Sequence, residues 1–352
     1  MEAFALDPAD LGNLDALRGV VIAEEVRGNG RRLFAKGHRL GEGDLTSLAE
    51  LPRPVHAVRL GPADVHEDAA GRRLAAAVGA GGVAARDPVQ SRVNLVAAAK
   101  GLLRVDARAL LRLNRLDGIA VFTLPDRVPV LPGKIVAGAK ITPVAVPEET
   151  LVAAEAIAHE SPVVVVKPFH ARSVGVITTE GLAGKTRDRF RDTVNRKLGW
   201  YGAHVLRFVD LPGDPAAVAT AIADLLGDGA DLILTGGGNT IDPLDATLLA
   251  LPGIGATMVK FGAAAHPGSM FWLAEVARPD RPAPVPIFNL ASCSMYSKAT
   301  VADLILPWIM AGERVGLDDL AALGHGGLLD RDMGWRFPAY DAETTDEADD
   351  GQ

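Results

Sequence analysis

The chain has 352 residues, of which 48% are hydrophobic and 23% charged, enough to bury one large core or two smaller ones. Its formal net charge is −8 and its pI is near 5.5, a balance that disfavours a nucleic-acid surface, which would normally be basic. A single cysteine, Cys293, excludes an intramolecular disulfide and a cysteine zinc cluster.

The N-terminal "MEAFALDPADLGNLDALRG" carries early acids and no long apolar run, so it does not read as a secretory signal. No stretch reaches the roughly 18 apolar residues of a membrane span. A cytoplasmic chain with no membrane partner is therefore expected.

Residues 1–150 are expected to form an N-terminal β-rich α+β domain. "GVVIAEEV" and "PVHAVRLG" read as strands, with "GEGDLTSLAEL" a short helix between them. "DVHEDAAGRRLAAAVG" reads as a second helix, and "RVNLVAAAKGLLRVDARALLRLNRL" as a strand pair followed by a helix. "VPVLPGKIVAGAKITPVAVP", broken by Pro and Gly, suits a β-rich piece. "PEETLVAAEAIAHE" opens a helix at Pro147 with acids in its first turn, and the domain boundary is placed there.

Residues 151–312 alternate strand and helix. "PVVVVK" and "SVGVITTE" are buried-strand candidates, and "TRDRFRDTVNRKLGW" is an amphipathic helix with Phe190, Val194 and Leu198 at four-residue steps. The strand "AHVLRFVDL" precedes a helix capped by Asp214, with Pro215 at its first position and Gly227 at its end. "ADLILTGGG", "ATMVKFG" and "VPIFNLAS" are further strands, with "PLDATLLALPG" and "KATVADLILPWIMAG" as helices. Solidly apolar strands alternating with helices predict a doubly wound, mostly parallel α/β sheet. Residues 313–340 read as an appendage docked by Trp335, Phe337 and Tyr340, and 341–352 as an acidic, disordered tail.

Ligands of such sheets bind beyond the carboxyl ends of the strands. Four polar or glycine-rich loops follow strands here: "TTEGLAGKT", "TGGGNTID", "FGAAAHPGSM" and "NLASCSMYSK". Gly236, Gly237 and Gly238 free the backbone to approach an anion, with Thr235 and Asn239 beside them. Asp242 reads as a cap for a helix starting at Pro243, and Asp245 as an acid in its first turn; facing a cleft, the two could instead hold Mg²⁺. "TEGLAGKT" misses a Walker-type loop at Thr179, yet Lys185 and Thr186 at a helix start can still bind phosphate. Ser292 and Ser294, near a helix start, suit an anion or a polar heterocycle, with capping as the alternative. His266 is a further polar residue at a strand end, more ordinarily structural than catalytic.

The order of these motifs from "VGVITTEGLAGKT" through "LILTGGGNTIDPLD" to "NLASCSMYSKAT" resembles the molybdopterin-binding domain of the Mog and gephyrin type, over about 170–311. The resemblance implies that fold, a site for molybdopterin or its nucleotide-linked form, and a part in molybdenum-cofactor biosynthesis. It implies a phosphate cradle at Gly236–Gly238, a functional acid at Asp245 or Asp242, a first-loop pair at Thr179 and Glu180, and last-loop contacts at Ser292 and Ser294. The chain departs from the family where "ASCS" replaces a Pro-Gly-Asn-Pro or Pro-Gly-Ser-Pro turn, at His266, where a lysine is usual, and at Gly238–Asn239.

Three functions follow as expectations. One is nucleotidyl transfer or molybdenum insertion by a transferase using ATP and Mg²⁺. Another is a non-catalytic carrier or sensor of the finished cofactor. The third is a P-loop-like nucleotide hydrolase built on Lys185 and Thr186. Expected partners are a small-molecule pterin, other copies of the chain in a homo-oligomer, and other cofactor-maturation proteins.

Overall fold

The computed structural model describes residues 1–7, 17, 19–89, 91–179, 181–236, 242–290 and 299–342. Among them, no helix is long and apolar enough to cross a membrane.

The chain opens with β1 (Glu2–Leu6), β2 (Val20–Ile22), the hairpin β3 (Val26–Gly28) and β4 (Arg31–Phe34), α1 (Leu45–Ala49) and β5 (Val55–Arg59). Strands β1, β5 and β2 form an antiparallel sheet over a small core of Val20, Ile22, Leu48 and Val55. Next come β6 (Asp64–His66), α2 (Glu67–Val78), β7 (Val83–Ala85), β8 (Arg92–Ala97), β9 (Gly101–Val105) and α3 (Ala107–Leu113). They are followed by β10 (Ile119–Thr123), β11 (Pro129–Val130), β12 (Ile135–Ile141), β13 (Ala145–Pro147), α4 (Glu148–Glu160) and β14 (Val164–Pro168). The strand pair expected at 92–105 is split. β8 joins the sheet β10-β12-β8-β7, whereas β9 joins β11-β9-β14. β14, expected among the parallel strands, runs antiparallel to β9. Helices α2, α3 and α4 share one core with these sheets.

The second layered body contains β15 (Ser173–Thr178), α5 (Gly184–Trp200), β16 (His204–Asp210), α6 (Pro215–Gly227), β17 (Leu232–Gly236) and α7 (Ala246–Ala250). β18 (Thr257–Phe261), β19 (Trp272–Val276), β20 (Val285–Leu290), α8 (Val301–Met310) and α9 (Leu317–Ala322) complete it. The six strands run in the order β16-β15-β17-β20-β19-β18. The first four are parallel, and β19 and β18 are antiparallel to their neighbours. This is the doubly wound, mostly parallel sheet expected, with a separate β-rich N-terminal region.

Strand alternation builds the two layers. Val174, Val176, Leu232, Leu234 and Phe288 point to one face and pack with Phe190, Val194 and Leu198 of α5 and with α8. Ile177, Ile233 and Ile287 point to the other and pack with Val218, Ile222 and Leu225 of α6 and Ala246 of α7. Gly175 permits the second contact, since a Cβ there would lie 2.7 Å from a methyl of Leu225. α6 starts as expected, with Asp214 accepting from the Ala217 amide at 3.0 Å and Pro215 opening the helix.

The N-terminal region meets this body through charged and aromatic contacts. Glu313 accepts from Lys167 at 2.9 Å and from Arg104, and the Arg127 guanidinium lies 4.3 Å from the Trp308 ring centre. Phe337 and Tyr340 dock the C-terminal segment into the α5–α8 core as expected, but Trp335 is 51% exposed.

Candidate ligand site at the sheet edge

Register defines the edge. Thr178 pairs with Asp210 and with Gly236, and Gly236 pairs with Leu290, so the four parallel strands end in line. Phe261 lies opposite Trp272, and the Trp272 amide donates to Asn289 Oδ1 at 2.7 Å. The segments that follow β15, β16, β17, β18 and β20 therefore all leave the same edge. Asn289 is a tie rather than a free polar group, because its Nδ2 also donates to Met270 O at 3.0 Å.

Asp245 is the N-cap of α7, and its Oδ1 accepts from the amides of Thr247 and Leu248 at 2.9 and 3.2 Å. The helix thus starts at Ala246, later than expected. Asp242, exposed, accepts from the Leu244 amide at 2.9 Å in a local turn. Thr235 is buried, and Gly236 lies where a Cβ would come within 2.8 Å of Phe190 Cζ, so packing alone requires a glycine there. Thr179 is half-buried, and Lys185 and Thr186 are exposed in the first turn of α5. The cap position of that helix is Ala183, with no side-chain cap. His266 is exposed, and its main chain is paired on both sides with 327–329. Glu180, Gly237, Gly238, Asn239, Ser292 and Ser294 lie outside the described residues.

One cluster at this edge was not anticipated. Thr178, buried at the tip of β15, donates its hydroxyl to Asp210 Oδ1 at the tip of β16. Asp210 Oδ2 accepts from Arg191 Nη2 at 2.8 Å, and the Arg191 guanidinium rests 5.0 Å from the Phe208 ring centre. The available signal was Arg187 and Arg191 at i and i+4 on a helix that follows a strand, together with an acid closing the next strand.

A second cleft, of about 810 Å³, opens at the opposite edge, between Thr257, Glu275 and Pro284. Its arginines are committed: Arg314 to Glu275 at 2.7 Å, Arg278 to Asp280 at 2.8 Å and Arg281 to Asp231 at 2.7 Å.

Residues 173–311 match the model of a family described as "Probable molybdopterin binding domain". The match lies within this segment, which is under half of the chain. The matched molybdopterin-binding domain runs from the first residue of β15 to the residue after α8. Among solved structures, the tungsten cofactor synthesizing protein MoaB from Pyrococcus furiosus is similar at 20% identity. That match covers 36% of this chain and 86% of that one, with a TM-score of 0.30. A structure described as a molybdenum cofactor biosynthesis protein from Corynebacterium diphtheriae is similar at 19% identity over 43% of this chain and 99% of that one, also with a TM-score of 0.30. No curated protein matches the chain.

Molybdopterin joins a pterin and a dithiolene to a phosphate, and the phosphate tests the domain's fit most simply. Helix α5 leaves its first amides without a side-chain cap. On its first two turns, the Nε atoms of Arg187 and Arg191 are buried donors that make no hydrogen bond. An orphaned donor in a buried place is costly unless a ligand or water accepts from it. These residues fit an oxyanion. Among the described residues, no group of three or more His, Cys, Asp and Glu side chains could hold an ion.

Proposed function

We propose that the protein binds molybdopterin, or its nucleotide-linked form, at the C-terminal edge of the six-stranded sheet and acts in molybdenum-cofactor biosynthesis. One observation carries this reading. Within the matched segment, α5 starts without a side-chain cap shortly after the tip of β15, Arg187 Nε makes no hydrogen bond and lies 3.8 Å from Asp188 Oδ1, and Arg191 reaches the tip of β16 through Asp210. The α5 amides, Lys185 and Arg187 would hold the phosphate. Arg191 is held on Asp210, and Asp210 on Thr178, so its guanidinium is preset rather than ordered at the moment of binding.

As an enzyme, the protein would transfer a nucleotidyl group from ATP to the pterin phosphate, with pyrophosphate leaving, or insert molybdenum at the dithiolene sulfurs. Mg²⁺ would neutralise the phosphate charge, with Asp242 and Asp245 as its nearest candidate holders. The non-catalytic carrier is favoured by a specific observation: each of these acids has one oxygen committed to local amides.

The test is to purify the protein from molybdenum-replete cells and measure fluorescent pterin after acid oxidation. About one pterin per chain is expected for the wild type, with a marked loss in Arg187→Ala and Arg191→Ala. Wild-type protein free of pterin, and unable to take it up in anaerobic titration, would overturn the reading. Turnover with ATP and Mg²⁺ that disappears in Asp245→Asn would select the enzyme over the carrier.

A further inference from the structure

The matched segment ends at 311, yet the chain beyond it packs back on the body at two places, one on the segment that leaves β18 at the ligand edge and one between the start of α8 and the last turn of α5. At the first, residues 327–329 pair with the segment between β18 and β19. The His266 amide donates to Gly327 O at 2.8 Å, and the Leu329 amide donates to His266 O at 2.8 Å. At the second, the Tyr340 hydroxyl donates to Asp303 Oδ1 at 2.8 Å, and Lys197 Nζ donates to the same oxygen at 2.7 Å. Asp303 Oδ2 meanwhile accepts from the Thr300 amide and hydroxyl at 3.1 and 2.7 Å, closing the capping box of α8.

The two places are joined, because the Val301 amide at the start of α8 donates to Pro267 O at 3.2 Å. Asp303 is 1% exposed and Lys197 5% exposed, so the start of α8 is set by a dry polar cluster. Its geometry depends on a hydroxyl 29 residues beyond the matched segment. Burial and the Asp303 charge push the Tyr340 hydroxyl well above its ordinary pKa, so it remains a donor at neutral pH. The segment is anchored after Tyr340 as well, with the Trp200 indole donating to Ala342 O at 3.0 Å.

We propose that residues 313–342 are a positioning element of the pterin site: pairing at 327–329 sets the His266 segment, and Tyr340 sets the α8 start, in the arrangement that receives the ligand. The proposal rests on the pterin reading above. Tyr340 is a positioning residue acting through Asp303, and a binding-competent edge requires the chain to continue past the matched domain.

The experiment measures anaerobic molybdopterin affinity by tryptophan fluorescence, together with amide hydrogen exchange at 263–268 and 299–303. It compares wild type, Tyr340→Phe and Leu329→Pro. Tyr340→Phe removes one hydroxyl and keeps the ring; Leu329→Pro removes one amide donor to His266, an independent handle should the first variant fold poorly. Each variant is expected to weaken binding by about tenfold, the scale of one lost charge-assisted or main-chain bond, and to speed exchange in the segment it serves. Leu48→Ala, a cavity in the N-terminal core, is the control: it lowers the melting temperature and leaves affinity unchanged. Wild-type binding that neither variant weakens would overturn the proposal while leaving the pterin reading intact. Absence of wild-type binding would overturn the pterin reading and the proposal with it. Affinity that merely tracks melting temperature, with Leu48→Ala weakened equally, would reduce the segment to a general stabiliser and also overturn the proposal.

Discussion

Gly236→Ala tests the packing beneath the ligand edge. A Cβ at this position would stand 2.8 Å from Phe190 Cζ, 3.1 Å from Phe190 Cε2 and 3.3 Å from Thr178 Cγ2. Comfortable carbon–carbon contact begins near ~3.5 Å, so the new methyl overlaps the ring. Phe190 is 2% exposed and packed in the α5–α8 core, leaving the ring little room to retreat. Overpacking of this kind costs about 1–3 kcal/mol. Urea unfolding should show the transition midpoint falling with an unchanged slope. Phe190→Leu makes room for the methyl, so the double variant should be less destabilised than the sum of the two single changes by about 1 kcal/mol or more. Strict additivity, or a Gly236→Ala midpoint equal to wild type, would refute the close-contact argument.

Asp245→Ala should lose about 1 kcal/mol by uncapping α7, whereas Asp245→Asn keeps an acceptor and should lie near wild type in thermal unfolding. Equal losses would mean that the carboxylate charge, not the cap, matters. Glu67 is buried, with Oε2 making no hydrogen bond, and desolvation raises its carboxyl above the ordinary range. Between its unfolded and its raised folded value, the folded state holds a proton that the unfolded state has released, so stability falls as pH rises through that window. Glu67→Gln should remove that fall, so its advantage over wild type grows from acidic to neutral pH in urea titrations; a constant difference would contradict the assignment. Asp210→Asn should weaken pterin binding by loosening Arg191 while leaving the melting temperature within a few degrees of wild type; unchanged affinity would remove the Thr178–Asp210–Arg191 cluster from the site.

What could be read in advance depended on whether the cause was local. α6 was legible because Asp214, Pro215 and Gly227 punctuate it and Val218, Ile222 and Leu225 mark its buried stripe. The alignment of the strand ends followed from alternating strands and helices. β19 was missed because Glu275 interrupts its apolar run; the acid is tolerated beside the core by Arg314, 39 residues further on. The valines of β14 read as a strand of the parallel sheet because such a run carries no record of its partner, here β9.

The candidate site divides in the same way. Asp242 and Asp245 were visible as residues, but one pattern of acids before a helix serves both capping and ligand binding, and only hydrogen-bond geometry shows the caps. Thr178, Asp210 and Arg191 come from three elements and meet only after folding. Tyr340 was expected to dock the C-terminal segment, but its bond to Asp303 requires α5, α8 and the segment after α9 together.

The most direct test of the account is a crystal structure of the protein with molybdopterin bound. The pterin phosphate should lie against the first turn of α5, within reach of Lys185 and Arg187, with the pterin beside the tips of β15 and β17. Pterin density confined to the opposite edge, among Arg278, Arg281 and Arg314, would contradict it.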